Sequence, residues 1–164
     1  MVFAGAATGQ QVTASAATVT AGNTATVTVK AENFTDVATL EVYIYYDPTV
    51  LTLSSTSNGS LLSDAQASVN TAEAGTVKLV AMALNGISGS GNLLSLYFKT
   101  TADCAPSTYP ITVAIGNAFS VGFAPVTISA VNGSVTVKVR CNGDNQKISA
   151  AAEAGCCHGE ADRP

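Results

Sequence analysis

The sequence predicts an all-β fold, a sandwich or barrel of about nine short strands in antiparallel sheets. Three observations carry that expectation. Val and Thr together fill almost a quarter of the 164 residues, and β-branched side chains lose little freedom on a pleated surface. Apolar and polar residues alternate with a period of two in run after run. Gly, Asn and Pro pairs punctuate those runs.

Taken in order, Ala25, Val27, Val29 and Ala31 share one face of the first strong run, and Thr24, Thr26, Thr28 and Lys30 the other. In the next, Leu40, Val42 and Ile44 point inward, so Thr39, Glu41, Tyr43 and Tyr45 point outward together. Between Thr76 and Leu84, Lys78 belongs in water. Parity then puts Val80 and Met82 on the same outer face, with Val77, Leu79, Ala81 and Ala83 inside. Leu94, Leu96 and Phe98 alternate with Ser95, Tyr97 and Lys99. Tyr109, Ile111, Val113 and Ile115 alternate with Pro110, Thr112 and Ala114, where Pro110 suits a strand start or edge. Val135, Val137 and Val139 close the series. One wet face per strand belongs to antiparallel sheets. The breakers are Ala21-Gly22-Asn23, Asp47-Pro48, Asn58-Gly59, Ala74-Gly75, Gly89-Ser90-Gly91, Gly116-Asn117 and Asn132-Gly133. Only Leu61 to Ala67 looks helical, and it is short.

Composition excludes several functions. Charged residues are 11% and hydrophobic ones 47%, against the pattern of a long disordered chain. A net charge of −4 is not the basic footprint of a nucleic-acid binder. The longest apolar run, Leu79 to Leu84, is far short of a membrane span. Met1 is followed by neither a basic residue nor an apolar run, so no intact signal peptide is expected. Periodicity ends near Arg140. The expected organisation is an extension at 1–9, a β-domain at 10–140 and an unpatterned, disordered tail at 141–164. Cys104 and Cys141 are either a disulfide or two independent thiols; the sequence leaves both open.

Catalytic groups are scarce. The single His158 lies in the tail, which argues against a Ser-His-Asp or Cys-His device. The domain's acids, Glu32, Asp36, Glu41, Asp47, Asp64, Glu73 and Asp103, show no local pairing. Cys156-Cys157-His158 lacks zinc-site spacing. The Gly-rich stretch from Gly86 to Gly91 lacks the lysine of a phosphate loop and reads as a strand connection. No enzyme, no catalytic residue and no resident metal are expected. The outward Tyr43, Val80 and Met82, rimmed by Glu41 and Lys78, suit a protein-binding surface instead. Pattern alone leaves open whether loops or the N-terminal segment cover them.

The segment from Asn33 to Leu53, with Tyr45-Tyr46-Asp47-Pro48-Thr49-Val50-Leu51, resembles the signature of cohesin domains, in which a strand ends in Tyr-Asp-Pro-x-x-Leu. Other pieces fall in the family's order. These are the Gly22 turn, Gly75 to Leu84, Ser88 to Lys99, Ala105 to Ile111 and Val131 to Val137, so the likeness covers about 10–139. It implies a nine-stranded antiparallel jelly-roll β-sandwich that binds a dockerin module. Dockerins carry two EF-hand-like calcium loops, so calcium is expected in the partner and no cofactor in this domain. The family context implies an extracellular or cell-surface scaffolding protein and a monomeric domain. Carried over by position, the partner-binding residues are Thr39, Glu41, Tyr43, Lys78, Val80, Met82, Asn85, Gly86 and Ser88, with Tyr43 and Met82 at the centre.

In well-known members an Asn and an Asp hold the positions of Thr39 and Glu41, and an acid that of Asn85, so dockerin specificity is not inherited. Loops shorter than those of longer subtypes argue against extra helices or flaps. In the tail, Asn142 to Ala151 resembles the start of a dockerin calcium loop. Gln146 is an apparent insertion there, and ligands at the first and twelfth positions are missing. Two competing readings are a carbohydrate-binding module and a structural sandwich of a surface adhesin. The first wants a row of exposed aromatics, often Trp, and this chain has no Trp.

Overall fold

The computed structural model describes residues 9–139. The tail, with Cys141, Cys156-Cys157-His158 and the stretch 142–151, lies outside the described residues, as do residues 1–8.

Among the described residues, nine strands form the fold: β1 (Gln11–Ala14), β2 (Ala16–Thr20), β3 (Thr24–Tyr45), β4 (Leu51–Asn58), β5 (Gln66–Asn70), β6 (Thr76–Thr100), β7 (Ser107–Ser120), β8 (Ser129–Val131) and β9 (Gly133–Lys138). The helix-like stretch contributes only a 3-10 turn at Ser60–Leu62. The strands are not all short. β3 and β6 run 22 and 25 residues and pair antiparallel along their whole length, from Thr24↔Lys99 to Tyr45↔Thr76.

That long ribbon serves two layers. One has the order β2–β9–β7–β3–β6–β5 and uses the C-terminal half of β3 with the N-terminal half of β6. The other has the order β8–β1–β3–β6–β4 and uses the opposite halves. Expected inward residues from both halves meet in one core: Val27, Val29, Leu40, Val42, Ile44, Leu79, Leu94, Leu96 and Phe98 are fully buried. This is the jelly-roll sandwich.

The bend between halves explains a breaker that did not break. Register shifts occur between Ala31 and Thr39, where Asn33 and Asp36 take left-handed φ of 56°. Opposite them lie Gly86 (φ 75°) and Gly89 (φ 100°). The Ser90 and Ser88 hydroxyls accept the backbone N–H groups of Asn33 and Asp36, each at 2.9 Å. So Gly89-Ser90-Gly91 bends the strand as a bulge instead of ending it.

Two pairings are parallel, β1 with β8 and β2 with β9, against the all-antiparallel expectation. Parallel neighbours need a long crossover, and here the whole intervening domain supplies it. The chain crosses layers between β1 and β2 at Ser15. Its N–H donates to the Thr28 carbonyl and its hydroxyl accepts the Thr28 N–H, both at 2.9 Å.

Candidate partner-binding face

The outer side of β5, β6, β3 and β7 is laid out in cross-sheet rows. Directly paired residues project to the same side of a sheet with Cβ atoms about 5 Å apart. Asn70, Lys78, Tyr43 and Ala114 make one row; Ser68, Val80 and Glu41 the next; Gln66, Met82, Thr39 and Phe119 the third. Six of the nine expected site residues therefore stand pairwise opposite one another: Tyr43 with Lys78, Glu41 with Val80, Thr39 with Met82.

The Lys78 end is a closed polar network. Lys78 reaches diagonally to form an ion pair with Glu41 Oε1 and lies 5.3 Å from the Tyr43 ring centroid. The Tyr43 hydroxyl donates to Glu41 Oε1 at 2.8 Å, and Asn117 Nδ2 donates to Glu41 Oε2 at 2.9 Å. Tyr43 and Tyr45 stack with centroids 6.3 Å apart. Hydrogen bonds from Lys78, Tyr43 and Asn117 hold the Glu41 carboxyl down at about 2, Lys78 contributing most. The same bond to Glu41 raises Lys78 above its ordinary value.

Gly116 makes room for this network. A Cβ there would meet Glu41 Oε2 at 2.8 Å and Tyr43 Cε2 at 2.9 Å. β3 and β7 shift register between Leu40↔Ala118 and Val42↔Ile115, so Gly116 and Asn117 bulge opposite Glu41. The Gly-Asn pair expected to be a turn is thus an interruption inside β7. It supplies both the space and the third hydrogen bond of the site.

The Met82 end differs. Among the described residues nothing covers Met82 (57% exposed), Leu84 (94%) or Phe123 (87%). An open cleft of about 430 Å³ lies there, lined by Thr39, Asp64, Met82, Leu84, Val121 and Phe123 among others. A second cleft of about 320 Å³ adjoins it at Asp64, Ala83 and Asn85 and is lined by Ser60, Ser63 and Ser88.

The remaining expected residues sit at the bend. Asn85 is exposed. Gly86 is half-buried, and a Cβ there would meet Asp36 Oδ1 at 2.7 Å. The Ser88 hydroxyl is engaged by Asp36. Sequence reasoning missed Leu84, Asn117, Phe119, Val121 and Phe123. Leu84 was reachable by extending the β6 parity two residues. Asn117 lies in the bulge itself and Phe119 just after it, where parity is shifted, while Val121 and Phe123 lie in the loop beyond β7, where alternation gives no signal.

Comparison with known proteins agrees with this architecture. A non-cellulosomal cohesin from the hyperthermophilic archaeon Archaeoglobus fulgidus superposes with a TM-score of 0.72 at 24% identity, over 79% of this chain and 91% of that one. The Coh-OlpA-Doc918 complex of Clostridium thermocellum, a type I cohesin–dockerin complex, gives 0.73 at 16% identity, over 79% and 99%. The sixth cohesin of Acetivibrio cellulolyticus scaffoldin B, solved in complex with a mutant Cel5 dockerin, gives 0.73 at 21% identity, over 80% and 100%. At these identities the likeness shows the fold. No curated protein matches the chain. The model of the cohesin domain family matches residues 10–137, most of the chain and nearly all of the sandwich, and the chain belongs to that family.

Proposed function

We propose that the domain is a protein-binding module that docks a calcium-loaded dockerin on the outer face of β5, β6, β3 and β7, and so helps assemble extracellular or cell-surface complexes. The observation that carries the reading is the set of cross-sheet rows: Thr39, Glu41 and Tyr43 stand opposite Met82, Val80 and Lys78 on the outer side of one sheet. A flat face of this kind suits a macromolecular partner more than a small substrate. Two cohesins of the same fold are solved with dockerins bound. The domain needs no cofactor of its own. Calcium acts in the partner, where binding the ion folds the dockerin. The domain itself turns over no substrate.

The test is calorimetry of the intact chain against dockerins from its source genome. Micromolar or tighter binding in calcium, abolished by chelator, is expected, with Thr26→Ala on the other layer as a neutral control. Absence of binding to every dockerin sinks the reading. Hydrolysis of a polysaccharide by pure protein, lost on substituting one carboxylate, refutes the non-catalytic part.

A further inference from the structure

We propose that the partner is anchored at the Met82 end of the face, by an apolar side chain of its contacting helix seated between Met82, Leu84, Val121 and Phe123, with a Lys or Arg of the same helix on Asp64. The inference rests on the dockerin reading and specifies its site.

Four observations point there. First, the polar end is already satisfied within the chain. Three donors, Lys78, Tyr43 and Asn117, already occupy the Glu41 carboxylate, which leaves a partner little of its acceptor capacity. Binding energy concentrates where groups are free to be desolvated. Second, Leu84 and Phe123 are almost wholly exposed and line the same cleft with Met82 and Val121, and exposed apolar surface of this kind marks an interaction site. Third, Phe123 stands in a left-handed conformation, φ 63°. Its N–H donates to the Ser120 carbonyl at 2.9 Å, in a tight loop where glycine would be unstrained. A bulky aromatic held there and pointed at solvent does nothing for the fold. Fourth, among the described residues Asp64 is the one charged residue lining either cleft. The Lys78–Glu41 pair is the one salt bridge among the described residues, so Asp64 has no cation among them. Thr39 and Met82 belong to both the rows and the cleft, so the cleft continues the docking face. The occupant is a helix presenting an apolar residue and a basic one, three or four positions apart, since those share a helix face.

The probe is a calcium-loaded dockerin scaffold with its exposed helix positions randomised, displayed on yeast and selected on the intact chain beside the source-genome dockerins. Selected binders are expected to be enriched in an apolar residue with Lys or Arg one turn away. Leu84→Ser and Phe123→Ser should each weaken them about tenfold or more, and Glu41→Gln less than about threefold. Asp64→Asn should remove the preference for the basic residue and reduce the salt dependence of binding. Phe123→Gly should lose binding without lowering the melting temperature, which separates a contact residue from a structural one.

Binders that tolerate Leu84→Ser and Phe123→Ser but fail with Tyr43→Ala or Glu41→Gln overturn the inference and leave the dockerin reading standing. No binder from any source overturns both. A wild-type dimer in sedimentation, dissociated by Leu84→Ser, assigns the cleft to a second copy and also overturns the inference.

Discussion

At the Lys78 end of the proposed docking face, the polar groups of Glu41, Tyr43, Lys78 and Asn117 find partners within the chain; at the Leu84 end, apolar side chains and a carboxylate stand without any among the described residues. Both ends are borne by β3, β6 and β7, over buried Leu40, Val42, Ile44, Val77, Leu79 and Ala81. The contrast comes from what each row places beside its neighbour. Gly116 lets a carboxylate lie flat across β7, and a cation on β6 meets it. Two residues along each strand, no such complement exists. The difference teaches that an outward position on a sheet is not yet an available one. Exposure by parity counts only after internal hydrogen bonds have been satisfied.

Substitutions can break or sharpen this comparison. The largest effect is expected beneath both ends. Leu40→Ala should remove about 2–5 kcal/mol of stability through the cavity it leaves, as urea unfolding would report. A change under about 1 kcal/mol would show that the two ends do not share this core. Next is Gly116→Ala. Its Cβ meets the Glu41 carboxylate and the edge of the Tyr43 ring, side-chain atoms on the outer face of the sheet, so the core should hold. The Glu41 network should open, and an NMR titration should find its carboxyl raised from about 2 toward the ordinary carboxylate value. An unmoved titration would refute the account of Gly116.

The pH dependence is smaller. Glu41 titrates lower folded than unfolded, so its contribution is complete above its ordinary value of 4.5 and fades as pH falls toward 2. Across that window Glu41→Gln should flatten the stability profile, while Leu84→Ser should run parallel to wild type. Identical slopes for all three would mean the network is not formed in solution. The smallest effect is that of Leu84→Ser at neutral pH. A change within about 0.5 kcal/mol is expected for an exposed strand residue, and calorimetry showing a larger loss would mean Leu84 packs against the domain.

Period-two alternation was enough to place Leu40, Val42, Ile44, Val77, Leu79 and Ala81 inside and to bring Glu41, Tyr43, Lys78, Val80 and Met82 to one side. The family signature supplied the jelly-roll order of the strands. What stayed hidden was long-range. Gly and Asn carry the same local signal whether they end a strand or bulge it, so Gly89-Ser90-Gly91 and Gly116-Asn117 looked like turns. Which one occurs depends on the partner strand: serine hydroxyls facing Asn33 and Asp36 in one case, a carboxylate needing room in the other. Parity is lost across each bulge, so Phe119 went unnoticed, and Phe123 sits in the loop after β7, where alternation carries no signal.

The parallel pairing of β2 with β9 has a mechanical consequence. Five residue pairs, from Ala16↔Ser134 to Thr20↔Lys138, join an early strand to the last one, running in the same direction. Tension applied where the chain enters β2 and leaves β9 pulls the two strands past each other along their length. The load is then shared by all the hydrogen bonds of the pair at once instead of opening them one by one. β1 and β8 repeat the arrangement on the other layer. Tension entering through β1 reaches β3 directly, because those two strands pair from Gln11↔Glu32 to Ala14↔Val29, so the proposed docking face shares a strand with the load path.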